Sequence, residues 1–332
     1  MDVLILVDRL GDDARPDETD VLQQAESVEA ALHALGHDAR RLAVDLDLRA
    51  LHESITGQRP DLVFNLVESP AGRGAFIHLP LSILEALDVP VTGAKSLPMW
   101  LTSNKLATKR RLVEKGIPTA PWFVRSSLAR QSGPIAGAFI IKSVWEHGSV
   151  GLDEDSVLDT DQPSILAEEL DRRLASLGGE GFVERYIEGR EFNLAMLCGP
   201  DGPEILPPAE ILFPDYGPDR RRVVGYRAKW ATESFEYQGT PRSFEIRRED
   251  LPLIDELRRL AMACWHAFEL SGHVRVDFRV DEDGRPFVLE VNANPCLSPD
   301  AGFAAAALRA GIPMTSVMTR IIDDAVSKAV RS

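Results

Sequence analysis

The sequence lacks the two glycine signatures that most often mark a nucleotide site. No GxGxxG follows its first apolar run, and no GxxxxGK[ST] occurs anywhere in its 332 residues. A nucleotide, if bound, must be held by another scheme. The chain also lacks a surplus of positive charge. Its 37 Lys and Arg against 52 Asp and Glu leave a net charge of −15. That argues against a nucleic-acid partner, which wants a basic face, but not against a small anion held by a local cluster of cations. Cysteine is scarce: Cys198, Cys264 and Cys296 show no metal-ligand spacing. An odd count without a recognisable leader peptide fits a reducing cytoplasm. The first apolar run, residues 3–7, is far too short for a membrane span, and no later run is long enough. There is no internal repeat and no low-complexity tract.

What is present suits a soluble globular chain. Apolar residues make up 44% and charged residues 27%, and the length allows two or three domains with a substantial core. Strands at 3–7, 38–44 and 61–67 alternate with helices at 19–35, 47–56 and 77–87, and 89–93 closes the unit. This alternation predicts an open parallel sheet with functional loops at the C-terminal strand ends. Gly72-Arg73-Gly74 reads as a mobile surface turn sooner than as a phosphate loop.

Beyond it, Asn104 opens a helix to about 115. Lys105 stands in the first turn, where the helix dipole disfavours a cation, so a ligand role is one reading of it. A strand at 138–142 ends in Lys142 and runs into Trp145-Glu146-His147-Gly148-Ser149-Val150-Gly151. A strand-end Lys before a Gly/Ser loop suits a phosphate clamp, although an ordinary hairpin loop has the same composition. A helix is expected at 162–177. A strand at 181–187 should turn at Glu188-Gly189-Arg190 and run back over 191–198, with another strand at 204–212. The long polar stretch 213–248 reads as a functional loop or lid, with a short strand at 223–230 carrying Arg227 and Lys229. Helices follow at 251–270, 299–310 and 313–330.

The most informative stretch is 273–295, HVRVDFRVDEDGRPFVLEVNANP. Val274, Val276, Phe278 and Val280 alternate with charged residues. After the turn, Phe287, Leu289 and Val291 alternate with Val288, Glu290 and Asn292. This is a hairpin with one core face and one working face. Asp283-Gly284 signals a two-residue type I′ turn, which sets Asp277 opposite Glu290 and Arg275 opposite Asn292. Two facing carboxylates repel. A hard divalent cation resolves the conflict, and Mg²⁺ typically takes one or two carboxylates plus substrate phosphates. The plain alternative is a solvated charged face.

Taken in order and spacing, these pieces resemble the ATP-grasp ligases, and among them the chain is similar to the D-alanine–D-alanine ligases over nearly its whole length. The residues that carry the resemblance are Val63-Phe64-Asn65-Leu66, Lys105, Ile141-Lys142 with Gly148 to Gly151, Val183 to Phe192, Lys229, Arg275-Val276-Asp277 and Glu290-Val291-Asn292. The resemblance implies an α/β chain (α+β overall) with the ATP-grasp fold. A Rossmann-like parallel-sheet domain at 1–95 would precede two ATP-grasp subdomains at 96–180 and 181–332.

It implies the following roles. Lys105 and Lys142 hold ATP phosphates. Glu184 to Ile187 meet the adenine, with the backbone near Arg185 and Ile187 reading its edge. Glu191 takes the ribose hydroxyls, and Asp277, Glu290 and Asn292 hold two Mg²⁺ ions, for which Mn²⁺ could substitute. Arg275 stabilises the phosphoryl group and the oxyanion, Ser149 belongs to the mobile phosphate loop, and Lys229 grips nucleotide phosphate or a carboxylate. The implied activity is amide formation between a small-molecule carboxylate and an amine through an acylphosphate, in the cytoplasm, with a homodimer by family analogy. The alternatives are a nucleotide-binding module without ligase activity and phosphoryl transfer without amide formation.

The amino-acid half departs from the family pattern. Cys296 replaces a Gly, Glu68 a His, Gly148 a Ser, Trp230 a Tyr and Ala301 a Ser. Glu18 or Asp20 only approximately occupies the place of the amine-binding Glu. Glu68 and Asp300 add negative charge, so a substrate with an additional cationic group is expected; solvated or helix-capping carboxylates are the alternative.

Overall fold

The computed structural model describes residues 1–11 and 14–329. Part of the first loop (12 and 13) and the last position of the expected final helix, Val330, lie outside the described residues. Three sheets organise the chain. In the first, β1 (Asp2–Asp8), β2 (Asp38–Val44) and β3 (Leu62–Asn65) pair in parallel in the order β2-β1-β3. Val3 to Leu6 are essentially inaccessible, as a central parallel strand covered on both faces requires. The flanking helices are Pro16–Ala34, Leu48–Gln58 and Leu79–Ala86. The first begins three residues earlier than its apolar spacing predicts, because Pro16 is preorganised for the opening turn and Glu18 accepts the Arg15 N–H at 2.7 Å. Residues 89–93 add only one parallel bridge, Val63 to Val91.

The second sheet is antiparallel: β4 (Trp122–Phe123), β5 (Ala138–Ser143), β6 (Val157–Asp159) and β7 (Gly181–Arg185), in the order β4-β7-β5-β6. Phe139, Ile141 and Val183 pack with Leu166 and Leu170 of the helix Pro163–Arg173 in a core of their own. That helix ends earlier than expected, and Leu174–Leu177 is a 3₁₀ turn.

The third sheet holds β8 (Arg190–Leu197), β9 (Glu204–Ile205), β10 (Ala209–Ile211), β11 (Arg242–Ser243), β12 (His273–Val280) and β13 (Pro286–Asn292). Its order is β11-β10-β8-β12-β13, with β9 also on β8. The helices Leu251–Ala267 and Met314–Ala329 join it to the first sheet in one continuous core, to which Met99 and Leu112 also contribute.

Four expectations need correction. The strands at 181–187 and 191–198 do not form a hairpin: β7 pairs with β4 and β5, whereas β8 pairs with β9, β10 and β12. Both strands bury apolar side chains, Val183 in the smaller core and Phe192, Leu194 and Met196 in the larger, so alternation could not say which partner each would take. Gly189 makes the crossing between sheets. At φ +137° it passes so close to β12 that a Cβ would stand 2.0 Å from the Val280 carbonyl oxygen. The strand expected at 204–212 breaks into β9 and β10 around Pro207-Pro208, which have no N–H to give a ladder. Residues 226–230 form a short helix, Tyr226–Trp230, rather than a strand.

The fourth correction concerns the hairpin turn. Val280 pairs with Pro286, and Asp281 donates to and encloses Arg285 around a three-residue loop with Gly284 at φ +78°, the three-residue loop with a left-handed last position. That loop displaces the register by one. A bulge opposite the Asp277–Phe278 step takes the displacement back, so Asp277 still faces Glu290 and Arg275 still faces Asn292. The bulge also changes which side chains reach the core: Val288 and Val291 are buried, while Phe287 and Leu289 are only partly so.

Gly189→Ala should therefore destabilise the protein by about 2–4 kcal/mol, the range for a forced backbone clash. Gly284→Asn, at a position with no neighbouring atom within 4 Å and a φ that Asn tolerates, should cost under about 1 kcal/mol. Denaturant unfolding of the two variants checks the contrast.

Candidate active site

A cavity of about 530 Å³ lies where the three sheets meet, and the residues named from the sequence as catalytic, nucleotide-binding or metal-holding line it; of the two candidates for the amine contact, Asp20 lines it and Glu18 does not. Its floor is the β12–β13 hairpin. Arg275 donates to both Asp277 oxygens, Nε to Oδ1 at 2.8 Å and Nη2 to Oδ2 at 2.9 Å. Asn193 of β8 and Asn292 of β13 donate to the same carboxylate at 2.8 and 3.2 Å. Glu290 faces Lys105 Nζ at 3.5 Å and His147 Nδ1 at 3.6 Å. Burial works to raise the Glu290 pKa, but Lys105, His147 and Lys229 outweigh it and hold the carboxyl well below the usual range. For Arg275, burial is likewise overcome by Asp277 and Glu290, and its pKa rises.

The second sheet supplies the opposite wall. Lys105 Nζ donates to the Glu146 carbonyl at 2.7 Å, and Asn104 caps its helix by accepting the Ala107 N–H. Lys142 Nζ lies 2.6 Å from Glu184 Oε2. Glu184 is 1% exposed, so its side chain is a buried charge centre as well as part of the cavity wall. Burial would raise its pKa, but Lys109 and Lys142 lower it. Lys229 donates no hydrogen bond among the described residues; burial and then the Arg275 charge depress its pKa.

Three residues that sequence reasoning passed over matter here. Lys109 is buried against Glu184; its signal was helical spacing, since Lys105, Lys109 and Leu112 share one face. Arg279, 3% exposed, donates to the Ile187 carbonyl at 3.1 Å and the Tyr186 hydroxyl at 2.9 Å and stands 3.6 Å from Glu191. It thus fixes the strand end expected to read a base and the carboxylate expected to meet a ribose. Glu191 is pushed up by burial against the pull of Arg279. Arg242 lines the cavity beside Asp300 and Gly302. Burial and Arg275 lower its pKa, and Asp300 partly offsets them.

Two loops close over the cavity. Gly148 and Ser149 both hold φ +63°. Trp230 Nε1 donates to the Gly148 carbonyl at 2.9 Å, and Ser149 Oγ to the Val224 carbonyl at 2.8 Å. The Ser149 hydroxyl thus ties one loop to the other. Gly74 packs beneath: it is buried, and a Cβ there would meet the Trp145 carbonyl oxygen at 2.5 Å. Gly72 and Arg73 are exposed, as a surface turn requires, but Gly74 is a close-packed support of the 145–151 loop, because the chain needs a residue without a side chain at that crossing.

The far end is acidic. Asp20 accepts from Cys296 Sγ at 3.0 Å and from Ser298 Oγ at 3.1 Å. Glu68 accepts from Gln24 at 3.2 Å, and the Glu68 and Ser69 N–H groups donate to Asp8. Burial and then the Asp8 charge push the Glu68 carboxyl up to about 8; Asp8 itself rises to about 6, chiefly by burial. Glu68 and Asp300 therefore have different surroundings. Glu68 sits among carboxylates, while Asp300 faces Arg242. Asp300 also does not cap the helix Gly302–Arg309, whose N-cap is Ala301 without a side-chain bond.

With this geometry in hand, comparison with known proteins is decisive. A family model described as "D-ala D-ala ligase C-terminus" matches residues 136–323. The chain belongs to this family. Among its relatives, the D-alanine–D-alanine ligase of Methylococcus capsulatus is 30% identical over 308 residues, 91% of this chain and 90% of that protein. An uncharacterized protein of Sinorhizobium fredii is 29% identical over 304 residues, 90% and 86% of the two chains. A crystal structure of D-alanine–D-alanine ligase from Bacillus anthracis complexed with ATP superposes with a TM-score of 0.72 over 99% of this chain and 98% of that one, at 18% identity. This is a likeness of fold and agrees with the ATP-grasp expectation. No helix among the described residues is long and apolar enough to cross a membrane.

The Glu68 shift carries a pH signature. A carboxyl whose folded pKa is above its unfolded value stabilises the fold at low pH, and that contribution is lost as pH rises from about 4.5 to about 8. Asp8 adds to the same slope between about 4 and 6. Tm should fall as pH rises from 5 to 9, and Glu68→Gln should flatten the upper part of that fall. Overlapping profiles for the two proteins would count against a buried, protonated Glu68.

Proposed function

We propose that this protein is an ATP-dependent carboxylate–amine ligase that joins amino-acid or small-peptide substrates through an acylphosphate. The observation that carries the reading is the convergence in one cavity of Asp277 and Glu290, opposed across β12 and β13, with Lys105, Lys142, Lys229 and Arg275. The chemistry of the donor set fits Mg²⁺. Asp277, Glu290 and Asn292 offer hard oxygen donors, and among the described residues no group of three or more His, Cys, Asp or Glu side chains could hold an ion alone. That suits a metal whose coordination is completed by phosphate oxygens. Mn²⁺ shares the preference for oxygen ligands.

Bound MgATP would supply the phosphoryl group that turns an unreactive carboxylate into an acyl donor. The protein's own groups do the rest. Lys105 and Lys142 reach the cavity as point charges for phosphates. The Arg185 and Ile187 backbone, the latter held by Arg279, presents the edge of the second sheet to the base, and Glu191 stands ready for the ribose. Arg275 is bidentate to Asp277; once a cation shares that carboxylate, the guanidinium can turn toward an oxyanion, where a fixed cation stabilises a tetrahedral intermediate. The ties from Ser149 to Val224 and from Trp230 to Gly148 keep the two loops down together and exclude water, which would otherwise hydrolyse an acylphosphate. An inactive nucleotide-binding module is not favoured, because the cations and metal-type donors are all retained.

The test is ADP release from MgATP with a panel of neutral, acidic and basic amino acids, with the products identified by mass spectrometry. An amide product is expected, lost on chelation. Asp277→Asn should lower turnover about a hundredfold or more, the scale of removing a group that acts in the transition state. A stable phosphate ester without amide would replace this reading by phosphoryl transfer. Preferential use of basic amino acids would mark Glu68 and Asp20 as selecting a cationic group; preferential use of D-alanine would assign them to an ordinary α-ammonium.

A further inference from the structure

The proposed reaction uses Lys105, Lys142, Lys229 and Arg275 and has no task for Lys109. This residue lies one turn beyond Lys105 on the helix Lys105–Glu114 and is 2% exposed. Its ammonium donates to Thr119 Oγ1 at 2.8 Å and to the Ala120 carbonyl at 3.0 Å, and is ion-paired with Glu184 Oε1. Two N–H groups of the ammonium are thereby used, its charge faces Glu184, and the Trp122 ring covers it at 5.4 Å. The other Glu184 oxygen holds Lys142 at 2.6 Å.

The cluster therefore contains one carboxylate and two ammonium groups, a surplus of one positive charge. Its members are not equivalent. Lys142 and Glu184 line the cavity, whereas Lys109 does not. Among the described residues Lys142 has Glu184 as its single ion-pair partner, and it keeps 16% of its side chain exposed; Lys109 is locked from behind. Without Lys109, Glu184 and Lys142 would form a neutral buried pair. The Lys142 charge would be cancelled, and moving it to a phosphate would leave a bare buried carboxylate, which is strongly unfavourable.

We propose that Lys109 is a positioning residue that sets the charge of the nucleotide clamp: by neutralising Glu184 from inside the protein, it frees Lys142 to bind a phosphate in the cavity. This rests on the nucleotide reading above. It differs from a purely structural tie between the helix and residues 119–120, because it bears on the phosphates of the ligand over and above any effect on its base.

The experiment measures binding of MgADP and of adenosine to the full chain by calorimetry, with folding followed by circular dichroism. In Lys109→Met, the ratio of MgADP to adenosine affinity should fall about tenfold or more, as expected for losing a buried charge partner; any effect of Glu184 on the adenine is common to both ligands and cancels in the ratio. In Lys109→Met/Glu184→Gln the carboxylate charge is gone as well, Lys142 is again uncompensated, and the ratio of MgADP to adenosine affinity should return to within about threefold of wild type. Equal losses for both ligands, an unchanged ratio in the single variant, or no recovery in the double variant would overturn the proposal. If the single variant does not fold, the double variant decides: a wild-type ratio supports the proposal and a ratio lowered tenfold overturns it. Wild-type protein that binds adenosine and MgADP not at all would instead overturn the nucleotide reading itself.

Discussion

Two carboxylates face each other across a buried antiparallel ladder, and most of the site answers that conflict. Asp277 and Glu290 cannot both be ionised at such range without positive charge around them. The charge comes from Arg275 on one side and from Lys105 and His147 on the other, with Asn193 and Asn292 each adding a second donor to one of the Asp277 oxygens. The same groups are those a phosphate-bound cation would displace or join. These ion pairs hold the floor of the cavity in place, as the proposed cation-carrying ligand requires.

A second carboxylate conflict is resolved differently. Glu184 is deeper, and burial alone would keep it protonated; Lys109 and Lys142 hold it ionised. Glu68 has no such partner, and its pKa rises to about 8 beside Asp8. Burial is similar in kind at both places, and the presence or absence of an ammonium decides the outcome. The cavity is therefore polarised, with cations toward β5, β7 and β12 and uncompensated acid toward the end of β3. The first end is suited to phosphates.

Chain geometry protects this arrangement. The hairpin loop is one residue longer than a type I′ turn, and the bulge opposite Asp277–Phe278 removes the displacement before it reaches the working face. A one-residue slip without that correction would move every side chain to the opposite face and separate Glu290 from Asp277. Gly189 allows the chain to leave the second sheet and enter the third within a few residues, which brings Glu184 and Glu191 to opposite sides of the same cavity. Gly74 does the same service beneath the 145–151 loop. At each point a backbone passes where no Cβ could stand.

The elements with strong local signals were legible: the central strand of the first sheet, the helix capped by Asn104, the hairpin and its facing carboxylates, and the site residues, which reach one cavity. The family resemblance supplied roles that spacing alone left open. What was not legible depended on contacts distant in sequence. Alternation told that 181–187 and 191–198 were strands, but each strand carries two hydrogen-bonding edges with no label for a partner, and only packing against separate cores chose their sheets. Likewise, Lys109 and Arg279 looked like ordinary helix and strand charges until burial left each a single set of acceptors. The sequence by itself determined which side chains share a face wherever an element runs without a bulge, because periods of 2 and 3.6 are local properties of the backbone. Only the tertiary structure decided which charges are compensated, because an ion's energy depends on its burial and on neighbours that the chain brings in from far away.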